Sequence, residues 1–315
     1  TSARKPCASI AAWKNKLPPG SSNVSHCASV SACPELVRLM KIVYLGTPEM
    51  AVPPLQALHA AGHEILLVVT RVDKKRGRGS ALSPSPVKAA ALELGIAVSH
   101  EPDDVLGAVA DGATLGVVVA YGRLIKPHIL DEIPMINAHF SLLPRWRGAA
   151  PVERALLAGD GLTGVDIMRL EEGLDTGGIY AETVLPIGVK STAAELRSEL
   201  VDAACELLVK TLAVPLDVWI DSAATQIGNT VYAAKFTKEE FEIDWTQPVG
   251  HIDRLIRVGG AWTMFRGKRL KIHAADLVEG KLTPVTVQPE GKGPMEFAAW
   301  RNGAQPTHDE LFGAL

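Results

Sequence analysis

Long apolar runs, cysteines and aromatic residues are all scarce in this chain, and each scarcity removes a class of protein. The 315 residues hold four cysteines and 5% aromatics. No stretch approaches the roughly 18 apolar residues that a membrane-spanning helix needs. The greasiest run, Leu115 to Tyr121, stops at Gly122 and Arg123. Cys7, Cys27 and Cys33 crowd the N-terminal stretch without a C-x-x-C pair or a histidine at zinc-ligand spacing, so neither a disulfide framework nor a metal site is expected. Cys205 falls within a helical pattern, Leu196 to Leu212, where a packed thiol is expected rather than a nucleophile.

Two nucleotide cradles are missing as well. The first strand-turn reads Leu45-Gly46-Thr47-Pro48-Glu49-Met50-Ala51, with Gly46 alone where a dinucleotide fold shows G-x-G-x-x-G. A Walker loop is also absent, which excludes P-loop phosphoryl transfer along with nicotinamide redox chemistry. Lys and Arg number 32 against 35 Asp and Glu, a net charge of −3 that excludes a uniformly basic nucleic-acid binder but leaves room for local basic patches.

What remains is a globular composition, 47% hydrophobic, long enough for about two domains. Residues 1–39 stand apart, rich in Ser, Pro and Cys, with no acid before Glu35 and no periodicity. They read as a disordered extension ahead of a start at Met40, with an organelle transit peptide as the alternative. From Lys41 short Val/Ile/Leu-rich strands alternate with helices, the pattern of a parallel sheet covered on both faces. KIVYLG, EILLVVT, IAVSH, LGVVVAYG and MINAHFSLL are the strands. TGVDIMRL and GIYAETVLPI pair as a hairpin, and a long amphipathic helix runs from Thr192 to Leu212. From Asp221 to Gln247 the chain is polar and irregular. After a helix at Val249 to Val258 it reads as short strands, WTMF, RLKIHAADLV, VTVQP and MEFAAW, a small appended β-barrel or sheet. No internal repeat occurs.

Strand alternation places Asn137 and His139 on one face near a strand's carboxyl end. In open α/β sheets that edge binds ligands, and an amide beside an imidazole suits stabilisation of an oxyanion. The competing reading makes His139 a hydrogen-bonded interior histidine and Asn137 a turn former. Asp175, before Thr176-Gly177-Gly178, is by spacing an ordinary turn residue.

Ser141-Leu142-Leu143-Pro144-Arg145-Trp146-Arg147-Gly148-Ala149-Ala150-Pro151, followed by Gly164 to Gly178 (GVDIMRLEEGLDTGG), resembles the formyltransferase family, and the likeness runs from Lys41 to about Val278 and again over QPEGKGPM. The resemblance implies a Rossmann-like doubly wound, mostly parallel sheet followed by a small, shortened oligonucleotide-binding-like barrel. It implies an extension over 1–39, a catalytic domain over 40–220, a linker over 221–248 and a tRNA-binding barrel over 249–315. It also implies transfer of a formyl group from 10-formyltetrahydrofolate to the α-amine of methionine on initiator tRNA, without a metal, by a monomer in the cytoplasm. Asn137, His139 and Asp175 match the family's catalytic group, with Asp175 favouring the cationic imidazole. The loop Ser141, Leu142, Leu143, Pro144 matches the family's folate contact, although Leu142, Leu143 and Pro144 suit loop packing equally. Ala120, Tyr121 and Gly122 border the same pocket.

Two basic regions are the expected tRNA contacts. Arg71 to Ser80 sets five cations against Asp73, and the resemblance implies that Lys74, Lys75, Arg76 and Arg78 reach acceptor-stem phosphates. The family has an arginine and Pro-Ala ahead of Gly-Arg-Gly where this chain has Lys74, Lys75 and Arg76, which weakens bidentate contact at Lys74. The second region sets Arg254, Arg257, Arg266, Lys268, Arg269 and Lys271 against Asp253 alone. An exposed helix and a lysine-protected edge strand would look the same. Between HAADLV and QPEGK, where the family has further strands, the chain offers only EGKLTPVT and Val287. The rival functions are formylation of a nucleotide or sugar amine, hydrolysis of formylfolate, and RNA binding by a relative with an impaired enzyme domain.

Overall fold

A computed structural model describes residues 39–75 and 82–307 of the chain, with the Lys75 side chain excepted. Arg76, Arg78 and all but the last residue of the expected N-terminal extension lie outside the described residues. Along the chain, β1 (Lys41–Gly46) leads through α1 (Val52–Ala60) to β2 (Glu64–Val69). Then come β3 (Lys74–Lys75), β4 (Leu82–Ser83), α2 (Pro86–Glu93), β5 (Val98–Ser99), α3 (Val105–Ala110), β6 (Leu115–Val119), α4 (Pro127–Leu130) and β7 (Met135–His139). They are followed by β8 (Arg147–Gly148), α5 (Pro151–Ala158), β9 (Leu162–Arg169), β10 (Ile179–Pro186), α6 (Ala193–Leu212), α7 (Leu216–Trp219) and β11 (Tyr232–Ala233). The last elements are α8 (Val249–Val258), β12 (Trp262–Phe265), β13 (Lys268–Val278), β14 (Lys281–Pro289), β15 (Met295–Glu296) and α9 (Phe297–Ala304).

Seven strands form one sheet in the order β10-β9-β7-β6-β1-β2-β5. The strands from β5 to β7 pair in parallel, whereas β9 runs antiparallel to both β7 and β10. This is the mostly parallel, doubly wound sheet expected from the sequence, with the expected hairpin at one end. β6 is buried along its whole length, because helices cover both faces and an apolar run loses water from every side chain. One face packs Ile42, Tyr44 and Val117 against α1, α2 and α6; the other packs Val43, Leu45 and Val118 against α3 and α4. Helix α6 starts at a capping box in which the Thr192 hydroxyl accepts from the Glu195 N–H and the Glu195 carboxylate accepts from the Thr192 N–H. Its stripe of Leu196, Leu200, Ala204, Leu207 and Leu208 enters the first core, and Cys205 packs half-buried beside it.

The C-terminal part departs from a barrel. β12 to β15 form an open four-stranded antiparallel sheet, and EGKLTPVT supplies only the Glu279-Gly280 turn and the first six residues of β14. Four strands cannot close on themselves, so α8 and α9 complete the core instead, with Ile252, Leu255 and Ile256 meeting Leu270, Ile272, Leu282 and Val287. MEFAAW, expected as a strand, is two residues of β15 followed by α9. The i, i+3 spacing of Phe297 and Trp300 puts both rings on one helix face, where burial against the sheet outweighs their strand propensity.

Candidate active site

The parallel strands end together, and the chain reverses its direction of winding between β1 and β6. A doubly wound sheet opens a crevice there. Thr47, just after β1, donates its hydroxyl proton to the Tyr121 carbonyl 3.2 Å away, tying the two strand ends together. Ala120 has φ 47° and Gly122 φ 74°, so the chain turns sharply as β6 ends. Tyr121 is buried in the second core. A Cβ added to Gly122 would lie 3.8 Å from Arg71 Nη1, which puts the start of the basic loop at this same edge.

Asn137 and His139 emerge next door, on β7. The Asn137 carboxamide is half-buried and has no hydrogen-bond partner among the described residues, whereas His139 is only 5% exposed. Its Nε2 lies 2.9 Å from the Trp146 carbonyl, which can only accept, so Nε2 carries a proton. Nδ1 lies 3.7 Å from Asp175 Oδ2, too far for a hydrogen bond but close enough for an ion pair.

Asp175 sits in left-handed backbone at φ 51°, and its Oδ2 accepts the Gly148 N–H at 2.8 Å. The loop around it is tight: a Cβ on Gly177 would run into the Arg169 carbonyl oxygen. Trp146, also left-handed at φ 66°, is held by its indole N–H, which donates to Asp160 at 2.7 Å. Arg145 forks onto the same carboxylate at 2.7 and 2.8 Å. Burial would raise the Asp160 pKa, but the bonds from Arg145 and Trp146 outweigh it and hold the group below the usual carboxylate range. Asp160 thereby fixes the carbonyl that orients His139, a role its sequence position gives no hint of.

Ser141 to Pro144 pack downward. Ser141 is buried with its hydroxyl donating to the Arg145 carbonyl at 2.7 Å, Leu142 lies over Gly164, and Leu143 and Pro144 are buried around a cis peptide bond. The loop is anchored from beneath by Asp166 on β9, opposite His139 in the strand register, whose Oδ2 accepts the Leu143 N–H at 2.7 Å. Asp166 is fully buried, and its Oδ1 has no partner among the described residues. Burial pushes its pKa up to about 7, with the Leu143 N–H opposing and Glu182 adding to the rise.

A carboxyl raised in the folded state binds a proton there before it does when unfolded. Its stabilising contribution is therefore complete below the unfolded value of 3.8 and is lost as pH rises through about 7. Asp166→Asn keeps the acceptor for Leu143 and cannot ionise. Its stability relative to the parent should improve by about 2–3 kcal/mol between about pH 5 and about pH 8. Urea melts of both proteins at the two pH values measure this, and a difference that does not change with pH would rule Asp166 out as the titrating group.

The expected phosphate-binding cations divide into two sets. Lys74 is exposed on β3. Lys268, Arg269 and Lys271 are exposed on β13, and Arg269 lies 4.2 Å from the centre of the Trp262 ring. Arg254 and Arg257 serve the interior instead. Arg254 Nε donates to the Leu157 carbonyl at 2.9 Å, and Arg257 donates to Asp253 and to the Ser191 carbonyl, both at 2.8 Å. Both lie on α8, which packs against α5 and α6, and the carbonyl that Arg254 caps is at the end of α5. Among the described residues no group of His, Cys, Asp and Glu could hold a metal ion, and no helix is long and apolar enough to cross a membrane.

Comparison with known proteins agrees with this geometry. Residues 40–212 match the family described as "Formyl transferase", and residues 235–286 match "Formyl transferase, C-terminal domain". The methionyl-tRNA formyltransferase of Ruegeria pomeroyi is 44% identical over 257 residues, 78% of this chain and 84% of that protein. The solved methionyl-tRNA formyltransferase from Clostridium thermocellum shares the fold at TM-score 0.54 and 16% identity, over 81% of this chain and 100% of that one. So does HypX from Aquifex aeolicus in complex with tetrahydrofolic acid, at TM-score 0.60 and 15% identity, over 83% of this chain and 47% of that one. With a family match spanning more than half its length and Asn137, His139 and Asp175 gathered at the carboxyl edge of its sheet, the chain belongs to the formyltransferase family.

Proposed function

We propose that this protein transfers the formyl group of 10-formyltetrahydrofolate to the α-amine of methionyl initiator tRNA, giving the formylated aminoacyl-tRNA that starts translation. The observation that carries this reading is the Asn137, His139 and Asp175 constellation in a chain 44% identical to a methionyl-tRNA formyltransferase. The donor supplies an activated formyl carbonyl. A donor of this kind fits the edge, since the Asn137 carboxamide has no partner among the described residues and no phosphate cradle is required.

As the amine attacks, negative charge gathers on the carbonyl oxygen. The Asn137 N–H and the His139 Nδ1–H are the donors that can stabilise it, because Nε2 is already bonded to Trp146. Asp175 faces the ring and is the nearest base for the proton the amine must lose; collapse of the tetrahedral intermediate then breaks the formyl carbon–nitrogen bond to the folate, whose nitrogen takes up a proton and leaves as tetrahydrofolate. Residues 40–220 carry this chemistry. Residues 249–315 carry RNA contacts through Lys268, Arg269 and Lys271, the basic loop that contains Lys74 reaches the acceptor-stem phosphates, and residues 221–248 join the two parts.

Incubation with formylfolate and charged initiator tRNA should yield formyl-methionine on the RNA, and a protein that formylates a nucleotide or sugar amine instead refutes the reading. Neutralising Lys74, Lys75, Arg76 and Arg78 together should weaken tRNA binding and flatten its dependence on salt by about one unit for each phosphate left without its cation. Folate affinity should not change. An unaltered salt slope would move the phosphate-binding role away from this loop.

A further inference from the structure

We infer that Gln226, in the polar segment that reads as a linker, is a positioning residue that aims the Asp175 carboxylate at His139. Its side chain uses its full hydrogen-bonding capacity on two loops of the site. Nε2 donates to the carbonyls of Asp175 and Gly177, at 2.9 and 2.8 Å, and Oε1 accepts from Arg147 Nε and Nη2, at 3.1 and 2.6 Å.

Each of those partners leads directly to the carboxylate. Arg147 precedes Gly148, whose N–H is the hydrogen bond to Asp175 Oδ2. β8, which contains both residues, pairs in parallel with β11, so the segment after Gln226 holds the same strand through its backbone. On the other side Ala224 bridges Ile179 with two backbone bonds of 2.8 Å, just past the two glycines that follow Asp175. Residues 224–233 therefore grip the Asp175 loop and the Arg147-Gly148 strand at once, and Gln226 is the side chain that spans both.

The grip is needed because Asp175 has φ 51°, a region that residues other than glycine avoid unless the surroundings impose it. Leaving the left-handed region would swing the carboxylate away from Gly148 and lengthen the 3.7 Å approach to Nδ1. Half-buried Gln226 has no counterpart in the motif strings of the site; it acts through Asp175, and the inference rests on the catalytic reading above.

The test is a mutant cycle. Gln226→Leu removes all four bonds at similar volume, and Gln226→Glu keeps the acceptor for Arg147 but turns an oxygen toward two carbonyls. Both should lower kcat by about 10²-fold, the usual penalty for a displacement near 1 Å, with KM for formylfolate unchanged. In an Asp175→Asn background the same substitutions should change kcat by no more than about twofold, because the two residues act as one unit. Multiplicative losses in the double variants overturn the inference while leaving formyl transfer itself intact.

A second readout does not need turnover. The ¹⁵N signals of the His139 ring should move in Gln226→Leu in the same direction as in Asp175→Asn, and a ring unaffected by Gln226→Leu overturns the inference. Gln226→Glu serves if the leucine variant does not fold. A protein that forms no formyl-methionine refutes the catalytic reading, and the ring signals still decide on Gln226.

Discussion

Replacing His139 with alanine is expected to lower kcat by about 10²- to 10³-fold, roughly 3–4 kcal/mol of transition-state stabilisation, with little change in KM for formylfolate. The ring is almost fully buried, and Trp146 fixes its orientation through Nε2, so in the proposed mechanism Nδ1 would meet the reacting oxygen without reorganisation. Preorganised donors in a partly dry site gain most from being fixed in place, which is why the loss should appear in kcat. Asn137→Ala should show a loss of similar size, since its half-buried carboxamide is the other proposed donor. Thermal melts distinguish this from unfolding, because removing one partly apolar ring should cost only about 1–3 kcal/mol of stability. Either variant turning over at nearly the parental rate would remove that residue from the chemistry.

Asp175→Asn should be at least as damaging, about 10³-fold or more in kcat. The substitution keeps the shape, and the amide oxygen can still accept the Gly148 N–H. The same Oδ2 position lies 3.7 Å from Nδ1, so in the variant a neutral amide oxygen faces the ring where a carboxylate did. The negative charge beside the ring is lost, and with it the nearest base of the proposed mechanism, a kind of change that is severe in other His–Asp pairs. The ¹⁵N signals of the His139 ring should move in the variant, because a carboxylate no longer faces Nδ1. Unmoved ring signals together with a near-parental kcat would dismiss Asp175 from this role.

The sequence discloses those parts of the site that strand and motif patterns write locally. Alternation in IleAsnAlaHisPhe places Asn137 and His139 together, and continuous apolar strands specify a sheet covered on both faces. What it conceals depends on contacts between distant residues. Asp166 looks like any polar residue in a strand until β9 buries it under Leu143. Asp160 follows an ordinary helix-ending glycine and yet supports the carbonyl that orients the histidine. Gln226 lies about fifty residues from the loop it holds, in a stretch without periodicity. Phe297 and Trp300 look like strand residues, and only their i, i+3 spacing, matched by small alanines between and after them, signals the helix. Arg254 and Arg257 count as cations in the sequence, but the packing of α8 turns them inward.

The Arg254 hydrogen bond also bears on how a long polyanion would be held. Its guanidinium caps the end of α5 beside Gly159, so the sheet carrying Lys268, Arg269 and Lys271 is docked on the catalytic part and does not swing from a tether. A ligand captured first by one basic patch meets the second at an effective concentration fixed by molecular geometry, and two weak grips multiply into avidity only if the ligand spans their separation. On the proposed function, RNA length then becomes a criterion of selection in its own right: a short oligonucleotide carrying the correct terminus would engage one patch, gain nothing from the other, and bind far more weakly than its chemistry alone would suggest.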